Sequence, residues 1–364
     1  MRDRYQRRRE RLRRAFAKPK VDALLVTDFL NVTYLTGFTG DDSFLLVREH
    51  DEILISDGRY TTQIEEECPG LDHFIRRPGV QVVDAAARVL RSRGVRRLGI
   101  EGDAMTVGTR DRLATAAPRL EIVPTSGLVE RLRRIKDRAE IAEIRRAVQH
   151  AERAFAVIRA SLRPEWTEKR VADELEHQMR LFGARSSGFA SIVAVGGRAA
   201  LPHAQPGDRP IGSAELLLVD WGANSGLYNS DLTRVLLPDR ISPKLQRVYG
   251  VVLKAQAAGI AAVRPGAACK DVDRAARRVI EKAGYGRYFR HGLGHGLGLQ
   301  VHEAPRMAPN APGVLRPGMV VTVEPGIYFP GWGGVRIEDD VLVTRSGHEV
   351  LTSVPKQQDD VVIC

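Results

Sequence analysis

The chain has 364 residues, 43% of them hydrophobic, with 34 glycines and 19 prolines, which predicts a turn-rich globular protein of about two domains. No apolar stretch approaches the ~20 residues that span a bilayer, and no apolar segment follows the N-terminal charges, so neither a membrane protein nor a secretory signal is expected. The three cysteines form no disulfide or metal-binding pattern, which favours a reducing, cytoplasmic compartment.

The formal net charge of +11 is concentrated at one end of the chain. Residues 1–20 contain ten Lys and Arg against two Asp and Glu, a net charge of +8, so the other 344 residues carry only +3. One interpretation is an arm that binds nucleic acid or an acidic surface. The other is an amphipathic helix whose Leu12 and Phe16 face the domain. Because no aromatic interleaving or RNA-binding motif accompanies the arginines, we favour the helix and do not expect a nucleic-acid partner.

The first third of the chain predicts alternating strands and helices. A helix is expected over residues 5–17, a buried strand over 21–27, and a short helix at NVTYLTGF. The alternation continues to a last strand at EIVPT, which is typical of an α/β layer domain. Because the segment PTSG at 124–127 is rich in turn residues, we expect a domain boundary after it.

From this point onward, an order of two long helices followed by strands occurs twice. The first helix pair is expected over 137–161 and 167–182, and the second over 243–263 and 270–283. The two copies also have identical residues at positions that are 101 residues apart. We therefore predict an internally duplicated α+β domain with a functional site between its halves. The shared letters are Arg163, Pro164, Lys169, Val171 and Gly183 in the first copy, and Arg264, Pro265, Lys270, Val272 and Gly284 in the second.

Strands of the duplicated part are expected to deliver acidic side chains and one imidazole to a common place. Asp220 ends the apolar run LLLV, and Asp231 follows eleven residues later. A carboxylate at the end of so apolar a strand is costly unless a positive charge meets it. Four carboxylates balance two divalent cations, so the set predicts a dinuclear metal site that activates a water between the ions. The predicted ligands are Asp220, Asp231, His295, Glu324 and Glu338.

The segments that hold these residues resemble the metal-site motifs of the pita-bread metallopeptidases, above all Xaa-Pro dipeptidase (prolidase) and aminopeptidase P. The segment NVTYLTGF resembles the creatinase-type N-terminal domain of the same enzymes. The resemblance therefore implies a creatinase-like α/β domain over 1–127 and a duplicated pita-bread catalytic domain over 128–364. The motifs are VDWGA, SDLTR, HGLGHGLGLQVHE, TVEPGIY and RIEDDVLV.

The resemblance also implies how the ligands are shared. Asp231 and Glu338 would bridge the two ions, Asp220 would complete the shell of one ion, and His295 with Glu324 would complete the other. Oxygen-rich ligation with one imidazole favours Mn²⁺ or Co²⁺ and is compatible with Zn²⁺. The neighbouring Asp339 and Asp340 are interpreted either as supporting residues or as solvated ones.

Further roles follow from the same resemblance. Glu324 is expected to carry a proton from the metal-bridging water to the leaving nitrogen, and His203 and His302 to stabilise the oxyanion. His291, His302, Arg306 and Arg336 are expected to contact the substrate or to support the carboxylates. The simpler interpretations are surface or turn-capping histidines, a solvated strand arginine at Arg336 and a surface arginine at Arg306.

The implied reaction is hydrolysis of the Xaa-Pro bond in small peptides. Arg306 matches an arginine that can grip a substrate's C-terminal carboxylate, which favours dipeptides. One alternative is an aminopeptidase P that acts on longer Xaa-Pro-Yaa peptides. Another is a non-catalytic pita-bread binding protein with a basic arm, or a metal-free relative such as creatinase; the presence of all five ligands disfavours both. A homodimer is expected by family analogy, in which an N-terminal domain limits substrate length.

Overall fold

The computed structural model describes residues 4–17 and 19–363. The chain forms two compact units, one ending at Arg133 and the other beginning at Arg134. The domain boundary that we propose from the sequence, after residue 127, lies six residues before this division. Among the described residues, no helix has both the length and the apolar character needed to cross a bilayer.

The N-terminal unit is built on one six-stranded sheet whose order is β4-β3-β2-β1-β5-β6. The middle strand β1 pairs antiparallel with β2 and parallel with β5, so the sheet is mixed. This is the α/β layer arrangement predicted from the alternation of patterns. The strands are β1 (Ala23–Val26), β2 (Phe44–Arg48), β3 (Glu52–Asp57), β4 (His73–Arg76), β5 (Arg97–Glu101) and β6 (Glu121–Thr125), and the helices are α1 (Arg4–Arg13), α2 (Phe29–Thr36), α3 (Thr61–Glu67), α4 (Val82–Ser92), α5 (Val107–Ala116) and α6 (Glu130–Arg133).

The arginine-rich helix α1 packs onto this unit. Leu12 and Phe16, the latter in the 3₁₀ turn that follows α1, are buried as the amphipathic interpretation predicts. Part of the basic charge is also used inside the unit: Arg9 Nε lies 2.8 Å from Glu52 Oε1, and Arg8 Nη1 donates to the Tyr34 carbonyl at 2.9 Å. Arginines of this segment therefore hold the helix in place as well as facing solvent.

The C-terminal unit confirms the predicted duplication. Helices α8 and α10 each contain 14 residues and begin 101 residues apart, at Glu168 and Cys269. The preceding helices α7 and α9 also end 101 residues apart, at Ser161 and Ala262. The helices of this unit are α7 (Arg138–Ser161), α8 (Glu168–Leu181), α9 (Pro243–Ala262) and α10 (Cys269–Lys282).

Each half follows its helices with three consecutive antiparallel neighbours in a sheet, β8-β9-β12 in the first half and β13-β15-β18 in the second. The second sheet is extended by β14 next to β13 and by β19 next to β18. An isolated bridge between Thr233 and Glu338 joins the last strand of the first half to the segment that precedes β18. The strands are β7 (Ser186–Ser187), β8 (Ile192–Val195), β9 (Leu217–Trp221), β10 (Ala223–Ser225), β11 (Tyr228–Asn229), β12 (Leu232–Leu236), β13 (Gly294–Gly296), β14 (Glu303–Met307), β15 (Val320–Val323), β16 (Gly326–Phe329), β17 (Gly333–Arg336), β18 (Asp339–Val343) and β19 (His348–Val350).

The structural role of α1 can be tested by truncating its buried face. Leu12 is fully buried, so Leu12→Ala should lower the free energy of unfolding by about 2–5 kcal/mol, the usual cost of removing a buried leucine side chain. Arg11→Ala, next to it on the exposed face, is the matched control and should change stability by less than about 0.5 kcal/mol. Urea unfolding measures both values, and equal effects of the two variants would contradict this packing.

Candidate metal centre

Two antiparallel strands deliver the first two predicted ligands. Asp220 lies on β9, directly across from Thr233 on β12, and Asp231 comes immediately before β12. Every residue of both strands is buried, since each strand is covered on its two faces. Asp220 and Asp231 are therefore both buried at the same end of this strand pair.

Glu338 joins them through the bridge between the halves. Its backbone N–H donates to the Thr233 carbonyl at 3.2 Å, and its carboxylate Oε2 accepts a 2.6 Å hydrogen bond from the Thr233 hydroxyl. One ligand atom each of Asp231, His295 and Glu338 all lie within 4.8 Å of one another. Residues that are 107 positions apart in the chain thus meet at one point.

His295 and Glu324 come from neighbouring strands of the second half. His295 lies on β13, where its backbone N–H donates to the Thr322 hydroxyl at 3.1 Å. Glu324 follows β15, and its N–H donates to the Leu293 carbonyl at 2.8 Å. As a result His295 Nε2 lies 3.3 Å from Glu324 Oε1 and 3.7 Å from Asp231 Oδ2.

The glycines on either side of His295 are required by close approach of the neighbouring strands. A Cβ atom at Gly294 would overlap the carbonyl oxygen of Thr322, and one at Gly296 would overlap the carbonyl oxygen of Ala304. The sequence Gly-His-Gly therefore lets β13 lie tightly between β15 and β14 while only the imidazole extends from it.

The electrostatics of this cluster oppose full ionisation. Burial raises the pKa of Asp231 and of Glu338 well above the usual range, and nearby carboxylates raise both values further. Burial also raises the pKa of Asp220, although Arg336 opposes that effect. For Glu324, burial acts in the same direction, but the hydrogen bond and charge of His295 outweigh it and lower its pKa. Full ionisation of these neighbouring carboxylates in a desolvated space is therefore unfavourable.

A buried acceptor without a partner indicates what is needed here. Asp220 Oδ1 has no hydrogen-bond partner among the described residues, although Asp220 Oδ2 accepts a 2.5 Å bond from Arg336. Buried carboxylate oxygens normally have a partner, and an orphaned one calls for an ion or water. Carboxylate oxygens together with one imidazole form a donor set that suits divalent cations, so the five residues fit the metal chemistry predicted for them.

Arg336 is enclosed within the cluster and is not solvated. Besides Asp220, its guanidinium donates to the Thr233 hydroxyl at 3.1 Å and to the Tyr328 hydroxyl at 2.9 Å. The Tyr328 hydroxyl also lies 3.0 Å from His291 Nε2. Burial raises the pKa of Tyr328 to about 12, so it stays a hydroxyl at neutral pH. The assignment of Arg336 and His291 to substrate binding stays a prediction.

The other predicted residues lie on the open side of the cluster. The His302 ring packs against the His295 ring with centroids 4.3 Å apart. Arg306 is exposed and is the cross-strand partner of His295 in the β13–β14 register, so the two side chains leave the sheet on the same face. His203 is exposed on the segment between β8 and β9. Burial lowers the pKa of His302, and the charges of His295 and His203 lower it further.

Sequence reasoning missed the hydroxyl groups that connect these residues. Thr233 bonds both Glu338 and Arg336, and Thr322 donates to Glu324 Oε1 at 3.3 Å. The available signal was strand alternation, because Thr233 lies two residues after Asp231 and Thr322 two residues before Glu324. The solvated interpretation of Asp339 and Asp340 is wrong, since both are fully buried.

The chain is similar to known proteins over most of its length. Residues 142–345 match the model for metallopeptidase family M24, and residues 8–135 match that for the creatinase/prolidase N-terminal domain. The "Uncharacterized peptidase YqhT" of Bacillus subtilis (strain 168) is 41% identical over 348 residues, 96% of this chain and 98% of the relative.

Solved structures agree in fold. The Xaa-Pro dipeptidase from Bacillus anthracis superimposes with a TM-score of 0.95 at 40% identity, covering 99% of this chain and 100% of that one. The X-Pro aminopeptidase from Thermotoga maritima MSB8 has a TM-score of 0.88 at 32% identity, covering 96% and 99%. One of these two structures is named as a dipeptidase and the other as an aminopeptidase.

The repulsion within the cluster predicts opposite effects for two buried aspartates. Asp231 faces other carboxylates, so Asp231→Asn should stabilise the chelator-treated protein by roughly 1 kcal/mol or more at neutral pH. Asp339 instead bonds Arg234 at 2.8 Å and also pairs with Lys356. Asp339→Asn, the matched control, should destabilise by about 3–5 kcal/mol because it removes the carboxylate charge that is paired with the buried Arg234.

Urea unfolding with and without Mn²⁺ measures whether each substitution raises or lowers the free energy of unfolding. Mn²⁺ at about 100 times its Kd should stabilise the unsubstituted protein by about 2.7 kcal/mol, and Asp231→Asn should lose most of that gain. If Asp231→Asn destabilised the metal-free protein as strongly as Asp339→Asn does, the proposed repulsion would be wrong.

Proposed function

The chain belongs to metallopeptidase family M24, and from this premise we propose that it hydrolyses the amide bond before proline in Xaa-Pro dipeptides. The observation that carries the proposal is that ligand atoms of Asp231, His295 and Glu338 lie within 4.8 Å of one another. An unsatisfied buried oxygen of Asp220 and the exposed Arg306 across from His295 support it. The similarity to an Xaa-Pro dipeptidase over the whole chain supports it.

Two divalent ions, Mn²⁺ or Co²⁺ in preference to Zn²⁺, are the proposed cofactors. Asp231 and Glu338 would be shared between them, Asp220 would complete one site, and His295 with Glu324 would complete the other. When bound, such ions lower the pKa of a water molecule between them and polarise the substrate carbonyl. Four carboxylates would then face four positive charges, which removes the repulsion seen among the protein groups alone.

Glu324 is the proposed carrier of the proton from water to the leaving nitrogen. Hydrolysis adds a water oxygen to the carbonyl carbon, breaks the C–N bond and leaves the proline nitrogen to take up a proton. A carboxylate oriented by His295 and by the Thr322 hydroxyl can accept the proton from water and pass it to that nitrogen.

His302 and His203 are the proposed donors to the oxyanion. A tertiary amide has no N–H, so the site must recognise the substrate through its carbonyl and its ends. Imidazole N–H groups that lie near the reacting carbonyl would stabilise the negative charge that develops on its oxygen. The contact of His302 with the His295 ring supports this assignment.

Arg306 is the proposed grip for the C-terminal carboxylate. Its position across from His295 and its exposure leave the guanidinium open to a ligand on the side of the cluster. A guanidinium binds a carboxylate through two parallel hydrogen bonds, which a longer peptide without a nearby carboxylate could not form. The preference for dipeptides over longer peptides would thus depend on the Arg306 side chain.

We also propose a cytoplasmic, homodimeric enzyme. The two described cysteines, Cys68 and Cys269, are buried reduced thiols, which fits a reducing compartment. The dimer rests on family analogy.

The activity is tested by metal restoration. Chelator-treated protein should hydrolyse Ala-Pro only after Mn²⁺ or Co²⁺ is added, while Ala-Ala should remain a poor substrate. Glu324→Gln should lower kcat by about 100-fold or more, because it removes the proton carrier. Absence of metal-dependent hydrolysis of every Xaa-Pro peptide would refute the proposed function.

Substrate length is tested at Arg306. Arg306→Ala should raise KM for Ala-Pro by about 10- to 100-fold, the effect of losing hydrogen bonds to a charged group, and should leave hydrolysis of Ala-Pro-Ala nearly unchanged. Arg306→Lys keeps the charge without the planar fork, so it should recover only part of the loss. A protein that prefers Ala-Pro-Ala and is insensitive to Arg306→Ala would instead be an aminopeptidase acting on longer peptides.

A further inference from the structure

The segment that carries His203 is fastened at both ends to one buried acid. We call residues 196–209, between β8 and the next turn, the His203 loop. Glu168, at the start of α8, accepts hydrogen bonds from the N–H of Val195 just before the loop and of Gly207 near its end, each at 2.9 Å. The Glu168 side chain also lies 2.9 Å from Arg198 Nε within the loop. One carboxylate therefore joins both ends of a loop of about a dozen residues.

Backbone and arginine contacts reinforce this attachment. The N–H groups of Glu168 and Lys169 donate to the carbonyls of Arg209 and Gly207 at 3.0 and 2.9 Å, and Arg198 also donates to the Gln205 carbonyl. Glu168 is fully buried. A buried carboxylate is tolerated when it is paired and its lone pairs are filled, and here Arg198 and two backbone N–H groups fill them.

The middle of the His203 loop reaches the metal centre. The carbonyl of Pro202 accepts a 3.4 Å contact from Arg336 Nη2, and the same nitrogen binds Asp220. His203 is the next residue of this loop. A shift of the loop's anchor at Glu168 would therefore displace the imidazole relative to the reacting carbonyl.

The internal repeat shows that the fold itself does not require an acid at this position. The residue 101 positions after Glu168 is Cys269, also fully buried and also at the start of its helix. The corresponding segment of the second half, which carries His302, is held differently: Asn229 donates to the carbonyls of Gly298 and Leu299 at 3.0 and 3.1 Å. The carboxylate thus serves the His203 loop and not the helix start in general.

We infer that Glu168, with Arg198, is a positioning residue that fixes His203 at the active site, an inference that rests on the proposed function. Every partner of the Glu168 carboxylate is a donor. An amide in its place would turn a donor toward at least one of these donors in either orientation, so Glu168→Gln loosens the loop while nearly keeping the side chain's volume.

A double-mutant cycle with His203 tests this. Glu168→Gln should lower kcat/KM for Ala-Pro by about 10- to 100-fold, the usual consequence of a misplaced catalytic group. His203→Ala should lower it at least as much, and Glu168→Gln should cause no further loss in the His203→Ala background, because the two changes remove one contribution. Bound Mn²⁺ per chain should stay unchanged in all three variants, since none alters a ligand.

Control variants separate positioning from general damage. Asp173→Asn makes the same chemical change on the same helix at an exposed pair with Lys169, and should keep full activity. Arg198→Gln leaves Glu168 in place and should reproduce the non-additive loss if Glu168→Gln does not fold. The inference would be overturned if Glu168→Gln lowered kcat/KM by the same factor in the unsubstituted protein and in His203→Ala. Loss of bound Mn²⁺ in Glu168→Gln would also overturn it.

The experiments distinguish a failure of the inference from a failure of the proposed function. If the unsubstituted protein cleaves Ala-Pro and His203→Ala is impaired, but Glu168→Gln and Arg198→Gln both match the unsubstituted protein, only the role of Glu168 is refuted. If no form of the protein cleaves any Xaa-Pro peptide with Mn²⁺ present, the proposed function and the inference fall together.

Discussion

Mutual repulsion among desolvated carboxylates is the constraint on which the C-terminal unit is built. Asp231 and Glu338 lie in an interior where burial and the charges of nearby carboxylates raise their pKa values. Arg336 compensates only part of this negative charge, because its short ion pair is with Asp220. The folded chain thus holds an arrangement that its own side chains do not neutralise, and the surrounding sheets must supply the stability that keeps it together. Divalent cations convert this unfavourable cluster into a favourable one.

The duplication explains how distant residues meet without a long functional loop. Each half presents three antiparallel strands. In each half one acid lies near the end of the middle strand and another directly before the third strand: Asp220 and Asp231 in the first half, Glu324 and Glu338 in the second. The Thr233–Glu338 bridge joins the halves where these strand ends meet. Because these side chains lie on strands or directly beside strand ends, sheet register sets their positions.

The fold class could be predicted from sequence, and the five ligands could be proposed, because their signals are local or motif-based. Apolar runs mark the strand before Asp220 and the strand before Glu324, and helical spacing marks the repeat. Register could not be predicted, since the pairing of Asp220 with Thr233 depends on tertiary contacts that a single strand's letters do not encode. The role of Glu168 was equally hidden, because its partners lie 27 to 39 residues away.

The run Glu338-Asp339-Asp340 shows how strand geometry assigns different tasks to adjacent acids of similar chemistry. Alternation sends Glu338 and Asp340 to one face: the first bonds Thr233 at the cluster, and the second accepts the Asp231 N–H at 3.1 Å. Asp339 points to the other face, where Arg234 and Lys356 lower its pKa against the effect of burial. A one-residue shift of β18 would exchange these surroundings, placing the paired acid at the metal centre and an unpaired one beside Arg234. The face of β18 on which each acid lies therefore decides whether that acid meets Arg234 or the metal centre, and strand alternation assigns roles that the residue types alone do not distinguish.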